Sequence, residues 1–155
     1  MKVKRVFLLS LFVVLAANAW TLDLRAIAYR AFKYLGSPMP EKAVVRDDGV
    51  GIIIDKKNGN YSEEWVFQLN ENKRVKLAGY CVFDSNRNNL NTILSDFETQ
   101  VYIQGYRFLG ADEDFNMYAT NDGPFSMCII ICNSIGTDRP GALNIVITFI
   151  NLVDM

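Results

Sequence analysis

Two aspartates and an asparagine at alternate positions, Asp112, Asp114 and Asn116, form a D-x-D-x-N run of the kind whose side-chain oxygens wrap a calcium ion. The run fails as an EF-hand: its sixth position is Met117 rather than glycine and its twelfth is Gly123 rather than glutamate. It reads instead as a solvated acidic hairpin turn. The other carboxylates that could pair for glycoside hydrolysis are Asp47, Asp48, Glu63 and Glu64. They too fall in turns or at strand ends, where charge is expected without any catalysis. The chain has no histidine, which removes Ser-His-Asp and Cys-His catalysis, proton shuttling by imidazole and most zinc and copper sites. It also lacks a glycine-rich phosphate loop and a C-x-x-C pair. No metal, cofactor or catalytic residue is therefore assigned. The candidate binding surface is Asp112, Asp114, Tyr118 and Tyr80.

Three cysteines remain, Cys81, Cys128 and Cys132. Cys128 and Cys132 sit four residues apart in a strand-like segment, about 13 Å at roughly 3.3 Å per residue, too far for a disulfide. An intramolecular bridge would have to join Cys81 to Cys128 or Cys81 to Cys132. Three buried, reduced thiols are the alternative.

The compartment follows from the first nineteen residues. Lys2, Lys4 and Arg5 precede an apolar run from Val6 to Ala16, and Ala17-Asn18-Ala19 supplies an A-x-A cleavage site. This is the pattern of a secretory signal peptide, too short to span a membrane as a helix. Its removal from the 155-residue chain leaves 136 residues, the length of a single domain spanning 20–155. The 16 Lys and Arg fall by three to 13, against 17 Asp and Glu, for a formal charge of about −4. A mildly acidic chain without a basic cluster has no electrostatic footprint for nucleic acid. A secreted or periplasmic protein without a stable membrane anchor is expected.

Alternating helix and hairpin patterns supply the scaffold. Thr21 is placed to cap a helix carrying Leu24, Ile27, Ala28, Ala31, Phe32 and Leu35, stopped by Gly36. After Pro38 and Pro40 come strand patterns at Val44-Val45, Val50 to Asp55 and Trp65 to Leu69, then a return strand whose inner face is expected to be Val75, Leu77, Cys81 and Phe83. The Asn-rich stretch Asn86 to Asn91 supplies the cap of a second helix with the stripe Leu90, Ile93, Leu94, Phe97 and Val101. Hairpin strands follow at Tyr106 to Leu109 and Phe115 to Thr120, and then strands at Phe125 to Cys132 and Leu143 to Leu152.

These elements predict an α+β fold with two helices packed on an antiparallel sheet. Residues 20–84 and 85–155 are candidate tandem repeats. Asp48-Gly49, Ile52-Ile53-Ile54 and Trp65 to Leu69 align with Asp122-Gly123, Ile129-Ile130-Ile131 and Ile145 to Phe149. The last two strands are apolar on both faces, so a second layer, a second subunit or a ligand is expected against them. The sequence thus favours a non-catalytic binding module for a protein partner. A binder of a small apolar ligand comes second and a carboxylate hydrolase third.

Overall fold

A computed structural model describes residues 22–113, 115–120, 127–132 and 143–151, with 127–132 placed by their backbone. The signal segment, Thr21, Asp114, the Asp122-Gly123 turn and the side chains of Cys128 and Cys132 lie outside this description. The architecture is α+β, with two helices against one antiparallel sheet.

The first helix, α1 (Leu24–Tyr34), buries Leu24, Ile27, Ala28 and Ala31, the one-sided stripe of a 3.6-residue period. Its cap is Asp23 rather than Thr21: the Asp23 carboxylate accepts from the N–H groups of Arg25 and Ala26 at 2.9 and 3.2 Å. Gly36 takes the positive φ of 77° just beyond the helix, a conformation open to a residue without Cβ. The second helix, α2 (Arg87–Ile103), is capped by Asn86 and buries Leu90, Ile93, Phe97 and Val101. Gln100 of α2 ties the helices together. Its Oε1 accepts from Leu24 N at 2.7 Å, and its Nε2 donates to Leu22 O at 2.6 Å and to Asp96 Oδ2 at 2.8 Å.

Each helix is followed by four strands that run up and down. β1 (Val44–Val45), β2 (Gly51–Asn58), β3 (Tyr61–Leu69) and β4 (Val75–Asp84) follow α1. After α2 come β5 (Arg107–Ala111), β6 (Phe115–Thr120), β7 (Met127–Cys132) and β8 (Leu143–Asn151). The spatial order β1-β2-β3-β4-β8-β7-β6-β5 joins the two meanders through their last strands, β4 and β8. In this topology β7 occupies the place of β3, and β8 that of β4. The sequence alignment of Ile52-Ile53-Ile54 with Ile129-Ile130-Ile131 was therefore shifted by one strand.

The helices share one core with the sheet. Trp65, Phe67, Ala78, Tyr80, Val82, Ile145, Ile147 and Phe149 are buried on that side, and the register aligns Trp65 with Tyr80 and Tyr80 with Ile147. The expected inner face of β4 is thus corrected. Leu77, Cys81 and Phe83 lie on the opposite face, and Val75 alone of the four joins the core. An irregularity explains the exception: Gln68 pairs with Leu77 but Leu69 pairs with Val75, so Lys76 is skipped and the alternation changes phase.

Candidate functional site

A second irregularity builds the most polar region of the core. Ile54 pairs with Glu64 and Lys56 with Glu63, leaving Asp55 as the extra residue of a bulge. The bulge turns Asp55 and Lys56 toward groups on the helix side. Arg30 of α1 grips both oxygens of Asp55, with Nη1 on Oδ2 and Nη2 on Oδ1. Trp65 Nε1 also donates to Asp55 Oδ2, at 3.1 Å. The same guanidinium donates from Nε to Tyr34 Oη at 3.0 Å and lies 5.4 Å from the Trp65 ring centroid.

Beside this clamp, Glu63 receives two phenols. Tyr61 Oη donates to Oε1 at 2.7 Å and Tyr80 Oη to Oε2 at 2.5 Å, while Lys56 Nζ stands 3.6 Å from Oε1. The Tyr80 ring meets Trp65 edge-on at 5.1 Å, linking the two carboxylates into one network across α1, β2, β3 and β4. Burial, reinforced by the Glu63 hydrogen bond and charge, holds the Tyr80 and Tyr61 phenols well above the ordinary phenol range. The Asp55 hydrogen bond raises the Arg30 guanidinium still further, against the opposing effect of burial. The phenols donate, the carboxylates accept, and both oxygens of each acid are engaged. The chemistry this arrangement supports is anchorage of α1 to the sheet. Among the described residues, no group of three His, Cys, Asp or Glu side chains is placed to hold a metal ion.

Among the described residues, those expected to form a binding surface do not meet. Tyr80 is 3% exposed and belongs to the core. Tyr118 is half-buried on β6 and packs edge-to-face on Phe108 at 5.6 Å. Asp112 is exposed in the β5–β6 hairpin, where Oδ1 accepts from Glu113 N, and Asp114 lies outside the described residues. The remaining carboxylates do not converge either. Glu63 and Glu64 are neighbours on a strand and so face opposite sides of the sheet, while Asp48 accepts from Val50 N within its own turn. Arg30 and Asp55 were missed by sequence reasoning. The only trace of them is an aspartate directly after three isoleucines.

Of the three cysteines, Cys81 lies on the sheet face away from the helices, and the backbone register places the strand positions of the other two relative to it. Cys81 and Cys132 both pair with Val146, one from each side, and Cys128 pairs with Ile150. Two strand spacings, about 9.5 Å, therefore separate Cys81 from Cys132, beyond the roughly 7 Å limit for a disulfide. Cys128 is farther along the sheet. This register brings neither expected partner to Cys81. The same face carries Ile52, Val66, Leu77, Val146 and Ile150 half-buried, with Ile54 56% exposed. No described helix covers it. Compared with protein-family models, with curated proteins and with solved structures, the chain gives no match.

Proposed function

We propose that the chain is an exported, non-catalytic binding module that acts through its sheet rather than through a reaction centre. The observation that carries this reading is the sheet face away from the helices, where aliphatic side chains from β2, β3, β4 and β8 stay partly exposed around the buried Ser62 and Glu64. Partly exposed aliphatic side chains grouped on one sheet face support a role in interaction. The engagement of Asp55 and Glu63 by cationic and phenolic donors supports a structural role for these two acids. Export rests on the cationic and apolar N-terminal segment and its Ala17-Asn18-Ala19 site.

The test has two parts. N-terminal sequencing of the exported protein is expected to begin at Trp20, and an intact Met1 in the exported pool defeats the export reading. A photo-crosslinker at Ile54 is expected to capture a protein partner in the native compartment. Native mass spectrometry that instead finds a bound apolar small molecule establishes the ligand-binding alternative. Turnover of a substrate that is lost in a folded Asp112→Asn, Asp114→Asn variant removes the non-catalytic reading.

A further inference from the structure

The two outer edges of the sheet are built differently. At one end β1 pairs with only Gly51 and Ile52 of β2. The rest of that edge is guarded by the Asp55 bulge and by the exposed Lys56 and Lys57, features that block strand addition. At the other end β5 has one neighbour, β6, among the described strands. It carries Phe108 at 57% exposure and Leu109 at 44%, with Arg107 as its single charge. Tyr102 and Ile103, 85% and 74% exposed, close α2 just before it. An unpaired strand edge flanked by exposed apolar side chains is complemented by another extended strand.

We propose that this edge is a self-association site that takes β5 of a second copy in antiparallel orientation. Charge selects the occupant and its direction. β5 begins at the exposed Arg107 and runs into the exposed acids Asp112 and Glu113. Antiparallel pairing sets Arg107 of each copy beside the acidic end of the other, whereas parallel pairing sets like charge against like. The resulting contact is isologous, as in a two-fold dimer. Residue Leu109 is itself bulged against β6, between the pairs Phe108–Tyr118 and Gly110–Met117. The bulge limits the added ladder to a few residues, so burial of Phe108 and Leu109 carries most of the association and the charges fix its direction. This goes beyond the binding role above and does not depend on it, since a monomer can bind a partner and a dimer can be catalytic.

Sedimentation equilibrium of the purified exported protein tests the proposal. A reversible dimer that weakens with added salt is expected. Leu109→Lys is expected to be monomeric, and Arg107→Glu and the double variant Asp112→Lys, Glu113→Lys each to dimerise about tenfold or more weakly. Mixing the two charge variants is expected to restore dimers, because each copy then meets opposite charge on the other. Circular dichroism of every variant separates lost association from lost folding. If a charge variant fails to fold, the chain carrying all three charge changes serves in its place, and it is expected to dimerise like the original. A protein that stays monomeric at every concentration overturns the proposal. So does a dimer indifferent to Leu109→Lys and to the charge changes, which would have to form through another surface.

Discussion

Tyr80 on β4 reaches diagonally across the strand pair to place its hydroxyl 2.5 Å from Glu63 Oε2 on β3, inside the core and beneath α1. Glu63 holds Tyr61 on its other oxygen, so it accepts both phenolic protons at once. Glu63→Gln keeps the shape but offers one carbonyl and one NH2, leaving one phenol facing a donor. A loss of about 1–3 kcal/mol is expected, the cost of a buried polar group without its partner. Urea denaturation of the variant beside the original protein measures it.

The raised phenols predict how stability responds to alkali. In the folded chain Tyr61 and Tyr80 resist ionisation, whereas in the unfolded chain they lose their protons near the ordinary phenol value of about 10. Their contribution is therefore complete below roughly pH 10 and is lost as pH rises toward the higher folded values, because the unfolded chain then binds fewer protons. Denaturation midpoints are expected to fall above that pH. Phenolate absorbance should show these two tyrosines titrating only as the protein unfolds, and Tyr80→Phe should reduce the slope.

At the bulge, Asp55 and Arg30 should respond unequally to substitution. Arg30 is 42% exposed at its side chain, so Arg30→Lys, which loses the two-pronged grip, should cost no more than about 1 kcal/mol. Asp55→Ala also strips the indole N–H of the fully buried Trp65 of its acceptor. Its cost is expected to be larger, about 1–3 kcal/mol. Chemical unfolding followed by tryptophan fluorescence ranks the two.

Gln100 bonds to the chain on both sides of Asp23. Gln100→Ala should cost about 1–2 kcal/mol and speed hydrogen exchange at the Leu24 amide. Gln100→Glu retains an acceptor for Leu24 N but sets a carboxylate against the Leu22 carbonyl and the Asp96 carboxylate. It is expected to be the worse of the two at neutral pH and to recover at acid pH, when the carboxyl can donate.

The sequence discloses elements better than it discloses faces. Leu24, Ile27, Ala28 and Ala31 mark α1 because helical period concentrates apolar residues on one stripe, and the α2 stripe is equally legible. Trp65 and Phe67 likewise identify the buried side of β3. The inner face of β4 was misassigned because skipping Lys76 changes the phase of the strand, an event set by pairing with β3 and invisible in β4 alone. The Asp55 bulge hid the polar network for the same reason, since Arg30 and Asp55 are 25 residues apart and meet only once β2 kinks beside α1. The two isoleucine runs that the candidate repeat matches lie at different places in the strand order, in β2 and β7. Ile54 is mostly exposed near one sheet edge, whereas Ile131 pairs with the fully buried Ile147.

The seam between β4 and β8 also sets the order in which the protein can assemble. Tyr80 faces Ile147 across it, a closure of 67 residues, and Ala78 faces Phe149. Each meander pairs strands adjacent in sequence, but the central pair of the sheet forms only once β8, the last of the described strands, has been synthesised. Until then β4 presents an open edge whose core side carries Ala78, Tyr80 and Val82 without their β8 neighbours. Folding is thus governed by a late, long-range pairing of the kind that slows β-rich domains.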